Sequence, residues 1–226
     1  MINNTQLESM LDLQNTMNST VNPDWVNLDW DWMRASCLEA CEAVEHHGWK
    51  WWKHQEKDVP QLQMEIVDIW HFYLSHYIKK AGGNTSLALN MIVYDYEHEQ
   101  KSPVLFDAKP YDLSTLDLLR KLDLLIGLSA AKRTSLKLFF SILEDCGLNW
   151  AMLFEQYVKK NLLNIFRQKN GYKQGTYHKT WFDQEDNVFL VSESAKLDPT
   201  QTDYVEKLWA SLEEVYKKAL DFQAKK

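Results

Sequence analysis

The sequence is poor in the residues that make tight turns. Among 226 residues it holds 7 Gly and 5 Pro, too few for a sandwich or barrel of many short strands. Cysteine is scarce as well. Cys37, Cys41 and Cys146 supply neither a disulfide framework nor a Cys-x-x-Cys zinc pattern. Cys37 and Cys41 lie four apart on one expected helix and read as small buried apolar residues. Positive charge is in deficit, with 25 Lys and Arg against 32 Asp and Glu and a net charge of −7. That balance argues against a nucleic-acid partner, although metal ions and a local basic cluster would still let an acidic chain hold an anionic nucleotide. No uncharged apolar run is long enough to cross a bilayer, so no membrane partner is expected. Residues Met1-Ile2-Asn3-Asn4-Thr5-Gln6 lack the charged start and apolar stretch of a secretory signal, which makes the cytoplasm the expected location.

What is present is helical periodicity almost end to end, with 45% apolar residues to build a core. Leu7, Met10, Leu11, Leu13 and Met17 predict a first short amphipathic helix, followed by a turn at Asn22-Pro23-Asp24. Further helices are expected from Trp30 to His47, stopped by Gly48, and from Gln61 to Lys80, closed by Gly82-Gly83. Thr85 to Glu97 reads as a helix that gives way to a loop through Pro103 and Pro110. Ser114-Thr115-Leu116-Asp117 has the pattern of a capping box opening the next helix. Ser135 to Cys146 and Asn149 to Arg167 follow, the latter capped by Asn149. From Gln168 to Asn187 the apolar period disappears, and a last amphipathic helix is expected from Thr202 to Phe222. With no repeat and no strong linker, one all-α domain over residues 1–226 is the simplest organisation.

Two helices carry the candidate chemistry. One holds Glu39-Ala40-Cys41-Glu42 and the other Glu65-Ile66-Val67-Asp68. Residues three apart share a helix face, with Cβ atoms roughly 5–6 Å apart, so each pair can aim two carboxylates at one spot. Ile66, Val67, Ile69, Trp70, Phe72, Tyr73 and Leu74 crowd the second pair, which marks that helix as mostly buried. Ionised carboxylates there are costly unless something neutralises them. Hard oxygen ligands without Cys select Mg²⁺, with Mn²⁺ as a substitute, over zinc. Two such ions about 3.5–4 Å apart are a known arrangement for phosphoryl chemistry. Either pair alone also fits a solvated helix stripe, and periodicity cannot show that the two converge.

A polar segment adds to the pattern. Lys160, Asn164 and Arg167 recur at helical spacing, and a Gly-containing stretch with Asn170, Tyr172, Lys173, Tyr177, Lys179, Trp181 and Glu185-Asp186-Asn187 follows. Such a basic loop could close over a triphosphate; its other reading is a solvated surface loop.

Together these residues resemble the all-α dimeric dUTPases, of the all-α NTP pyrophosphohydrolase type. The resemblance runs from near Leu11 to Asn187 in five blocks: Leu13-Gln14 with Asn18; Glu39-x-x-Glu42; Trp49-Lys50-Trp51-Trp52-Lys53; Glu65-Ile66-Val67-Asp68-Ile69-Trp70-His71-Phe72; and Lys160 to Asn187. Each block is weak alone, and their order and spacing make the match specific. The resemblance implies a multi-helix bundle, a homodimer, and Mg²⁺-dependent hydrolysis of dUTP, with dUDP a further candidate, to dUMP and pyrophosphate by water attacking the α-phosphorus.

The same resemblance assigns Glu39, Glu42, Glu65 and Asp68 as metal ligands, with Glu39 or Glu42 also orienting or deprotonating the water. It matches Gln14, Asn18, Trp52 and Asn164 to positions that read and pack uracil. Lys160, Arg167, Tyr172, Lys173 and Lys179 match positions that hold the phosphates or the closed loop, and His71 reads as a hydrogen-bonded histidine near the site. One departure is Asp183, where the family pattern expects Gly.

The nearest alternative is a related all-α enzyme acting on dCTP or on several dNTPs, because an amide side chain can present either of its ends to a base. A di-iron carboxylate bundle, suggested by Asp68-x-x-His71, lacks its required second Glu-x-x-His. A helical protein that binds nucleotide or a partner without turnover accounts poorly for four carboxylates kept together with a basic loop.

Overall fold

The computed structural model describes residues 2–198, 201 and 203–223. It is all-α, with short hairpins between helices. The sequence reading expects one domain over residues 1–226; the structure gathers into two compact units, Met1–Ser19 with Asp24–Tyr157 and Thr20–Pro23 with Val158–Lys226.

In the first unit, α1 (Asn4–Val21) buries Leu7, Met10, Leu11, Gln14 and Asn18. Steps of three and four put these on one stripe. The stripe is apolar in its first half and amide-bearing in its second, while Leu13 and Met17 are only half-buried. Asp31 caps α2 (Trp32–His47) by accepting from the Arg34 N–H, and Asp58 caps α3 (Val59–Lys80) by accepting from the Gln61 N–H. Pro60 sits in the first turn of α3, where a missing N–H costs nothing. The Asp58 N–H donates to the His46 carbonyl at 2.9 Å, which closes α2 and α3 into an antiparallel hairpin. α3 is buried on most of its circumference, as its crowding of apolar residues predicts.

After α4 (Thr85–Glu99) the expected loop contains a hairpin, β1 (Val104–Phe106) paired with β2 (Lys109–Tyr111). Its two turn residues, Asp107 and Ala108, both have positive φ, 49° and 58°, as a two-residue hairpin turn requires. Asp-Ala is a poor signature for such a turn, so the sequence did not announce it. Helix α5 (Leu118–Ala130) opens later than the Ser114 capping box suggests. The Ser114 hydroxyl is taken by Asp112 at 2.8 Å within a short 3₁₀ turn, and Asp117 caps α5 instead, accepting from Arg120 at 2.9 Å. Helix α6 (Leu136–Asp145) is capped by Ser135. Asn149 accepts from Met152 at 3.0 Å at the start of α7 (Trp150–Lys169), as expected. The cysteines divide: Cys146 is buried, Cys37 half-buried and Cys41 exposed. The buried side of α2 is Met33, Ser36, Ala40 and Ala43, a register that turns Cys41 outward.

The second unit holds the end of α7, the hairpin β3 (Thr180–Trp181) with β4 (Gln184–Glu185), α8 (Asp186–Ser194) and α9 (Tyr204–Gln223). Thr202, expected to start the last helix, lies outside the described residues. The segment without apolar period is folded through its rings. Tyr177 and Trp181 join Phe166, Leu208, Leu212 and Tyr216 in one core cluster, with Trp181 5.2 Å from Tyr216 between ring centroids. The turn between β3 and β4 puts Phe182 and Asp183 at φ 48° and 66°. Asp183 thus adopts a left-handed conformation that Gly takes up freely and that Asp tolerates better than most residues.

Candidate functional site

Because α2 and α3 run antiparallel, Glu39 and Glu42 face Glu65 across the hairpin. Glu39, Glu42 and Glu65 each offer a carboxylate oxygen within 4.8 Å of the others. Asp68, one turn along α3 from Glu65, acts electrostatically on Glu39. His46 Nε2 lies 3.5 Å from Glu65. Burial, the charge of Asp68 and a hydrogen bond with Glu65 push the Glu39 carboxyl up to about 8. Three acids at such spacing, with the charge of Asp68 acting on one of them, cannot all ionise cheaply, so the cluster needs a proton or a cation. An all-oxygen donor set of this kind suits a hard divalent ion and no soft one.

This gives a pH signature for the chain kept in EDTA. Glu39 has a folded pKa of about 8 against an ordinary value of 4.5. Its contribution to stability is therefore complete below about 4.5 and is lost as pH rises through 8. The melting temperature of the metal-free chain is expected to fall across that window, and added Mg²⁺ to flatten the fall. A melting temperature that ignores both pH and Mg²⁺ contradicts the cluster.

The polar stripe of α3 does not end at Asp68. His71 and Ser75 continue it at steps of three and four, and α1 packs its two buried amides against them. His71 Nδ1 meets Gln14 Oε1 at 2.8 Å, Gln14 Nε2 donates to Asn18 Oδ1 at 3.0 Å, and Asn18 Nδ2 donates to Ser75 Oγ at 3.0 Å. From α7, Tyr157 contributes its hydroxyl to Gln14 Oε1 at 2.8 Å and stacks its ring on His71 at 4.1 Å. Gln14 and Asn18, both 4% exposed, are thus joined in one network. Tyr157 and Ser75 are missing from the sequence reading. Ser75 was detectable as the next residue of the Glu65–Asp68–His71 stripe, whereas nothing in the sequence ties Tyr157 to Gln14.

Trp52 lies on the α2–α3 loop, exposed, edge-on to Trp49 and Trp51 at 5.2 Å. Beside it, Lys50 pairs with Glu45.

In the second unit Arg167 is buried, and Asp186 occupies two of its nitrogens: Nε donates at 2.8 Å and Nη2 at 2.7 Å. Nη1 donates to Asn164 Oδ1 at 3.1 Å. The Tyr177 hydroxyl also donates to Asp186, at 2.7 Å. Burial opposes the charge of Arg167, but its bonds to Asp186 prevail and raise its pKa. Lys173 donates to the Val21 carbonyl at 2.7 Å, Lys179 makes an exposed pair with Glu185 at 3.4 Å, Lys160 is buried and Tyr172 is exposed. Asp186, the residue that organises this group, stood in the sequence only as part of Glu185-Asp186-Asn187.

A family model described as dUTPase matches residues 6–172. The match covers the amides, all four carboxylates and the start of the basic segment, and stops short of Lys179 and Asp186. No curated protein matches the chain.

Proposed function

We propose, for a chain that belongs to the dUTPase family and is a dUTP diphosphatase, that Glu39, Glu42, Glu65 and Asp68 hold Mg²⁺. The observation that carries this reading is the meeting of Glu39, Glu42 and Glu65 oxygens within 4.8 Å, an arrangement that needs a proton or a cation to offset its charge. The family works with a divalent metal; hard carboxylate oxygens suit Mg²⁺, with Mn²⁺ able to replace it. Bound there, such ions supply charge neutralisation for a triphosphate and acidify water. Glu39 or Glu42 orients the attacking water toward the α-phosphorus or takes its proton.

In the same reading Gln14, Asn18, Trp52 and Asn164 read and pack the uracil. Lys160, Arg167, Tyr172, Lys173 and Lys179 serve the phosphates and the ordering of the basic loop. For Arg167 and Lys173, bonds to Asp186 and to the Val21 carbonyl favour the ordering role. The family resemblance implies a homodimer, and the cytoplasm is the location proposed. No described helix is long and apolar enough to cross a membrane.

A panel of dNTPs and dUDP, assayed for pyrophosphate and orthophosphate with and without Mg²⁺, tests the assignment. Mg²⁺-dependent release of pyrophosphate from dUTP is expected. Turnover of dUTP that is indifferent to EDTA overturns the metal role, and equal rates on dCTP favour the broader dNTP enzyme.

A further inference from the structure

We propose that His71, Ser75 and Tyr157 are positioning residues that lock the sense of the Gln14 and Asn18 amides and thereby make the site select uracil over cytosine. The inference rests on the reading that Gln14 and Asn18 meet the base.

A side-chain amide has a donating and an accepting end, so its sense must be set by neighbours. Here the neighbours set it in sequence. Ser75 Oγ lies 2.9 Å from the His71 carbonyl, which can only accept, so the serine proton is committed there. Ser75 Oγ can then only accept from Asn18, which fixes Asn18 Nδ2 toward it at 3.0 Å. Asn18 Oδ1 is left facing Gln14 and takes the Gln14 Nε2 hydrogen at 3.0 Å. Gln14 Oε1 must therefore point the other way, to His71 Nδ1 at 2.8 Å and the Tyr157 hydroxyl at 2.8 Å. His71 carries its hydrogen on Nδ1 in this arrangement. The Tyr157 proton is shared with the Met10 carbonyl at 2.9 Å, so His71 is the main donor to Gln14.

The consequence is a defined remainder. Both lone pairs of Gln14 Oε1 are used, and Gln14 keeps one N–H. Asn18 keeps one N–H and one lone pair on Oδ1. A donor beside an acceptor complements a pyrimidine edge that presents a carbonyl and an N–H, which is uracil's; cytosine presents an amino group and a bare nitrogen at those positions. Reversing the whole chain would leave Gln14 an acceptor and suit cytosine. That reversal requires the Ser75 proton to leave its carbonyl and His71 to change tautomer together.

The test is the ratio of kcat/KM for dUTP to that for dCTP in wild type, Ser75→Ala, His71→Leu, His71→Asn and Tyr157→Phe. Ser75→Ala and His71→Leu are expected to lower the ratio by about tenfold or more, with dCTP gaining as dUTP loses. Tyr157→Phe is expected to lower it less. His71→Asn, whose amide nitrogen can donate from nearly the same place, is expected to recover most of it. A merely structural role lowers both substrates alike, and an unchanged ratio in Ser75→Ala and His71→Leu overturns the proposal. Should His71→Leu fail to fold, Ser75→Ala, which removes one oxygen, decides the matter alone. Gln14→Ala separates the two levels. If it abolishes discrimination while Ser75→Ala and His71→Leu preserve it, only the positioning role is wrong. If it leaves discrimination intact, the amides do not read the base and both readings fall.

Discussion

Replacing Glu65 by Gln is expected to reduce kcat for dUTP by at least about a hundredfold while leaving the fold as stable as before or more so. The two halves of that expectation come from the same geometry. Glu65 is 7% exposed and shares the oxygen cluster with Glu39 and Glu42. An amide at this position weakens any hold on a divalent ion, because a neutral oxygen replaces a charged one. It also removes one of the charges that raise Glu39, so the metal-free chain gains by losing a repulsion. Glu42→Gln should behave in the same way in turnover. Steady-state kinetics with dUTP, paired with thermal unfolding in EDTA, checks both halves. Near wild-type turnover in either variant shows that the carboxylates are not the catalytic centre. Loss of turnover accompanied by unfolding assigns them a structural role instead.

The second large effect is expected at Asp186. Asp186→Ala leaves the Arg167 guanidinium buried without its carboxylate, and Arg167→Ala leaves Asp186, 0% exposed, without its cation. Removing one partner of a buried ion pair costs about 3–5 kcal/mol, because the remaining charge keeps its desolvation and loses its compensation. Urea unfolding is expected to report a loss of that size for the second unit. A loss below about 1 kcal/mol, the value of an exposed pair, contradicts the buried-pair description. In function, Arg167→Ala is expected to raise KM for dUTP far more than it weakens Mg²⁺ binding. The reverse ranking contradicts a phosphate or loop-ordering role for the basic segment.

How much of this was legible beforehand depended on the kind of residue. Helices with long amphipathic periods were plain in the sequence, and Asn149 announced the start of α7; Asp31 and Asp58, which cap α2 and α3, were not singled out, and those two starts were placed at Trp30 and Gln61 instead. The α5 start was misplaced because Ser114 and Asp117 are both good caps, and only the bond from Ser114 to Asp112 decides between them. The two hairpins were missed because their turns place Asp107, Ala108, Phe182 and Asp183 at positive φ without the Asn-Gly or Asp-Gly pattern that would have signalled it.

The carboxylates were visible as pairs, since three-residue spacing guarantees a shared face. That the pairs meet depends on the α2–α3 hairpin, which no spacing within one helix encodes. Gln14 and Asn18 were identified by resemblance, while the partners that orient them come from α3 and α7, at 57 and 143 residues' separation. Arg167 was assigned by resemblance to the phosphates or the closed loop. Its engagement with Asp186 is a long-range pairing that composition could not supply.

Mn²⁺ titration of the purified chain, followed by electron paramagnetic resonance, is the most direct test of the acidic cluster on α2 and α3. Saturable binding is expected in wild type, weakened by about tenfold or more in Glu65→Gln and Glu42→Gln and unchanged in Glu45→Gln, whose carboxylate is occupied by Lys50 and Trp49. Equal Mn²⁺ affinity in all four proteins would contradict it.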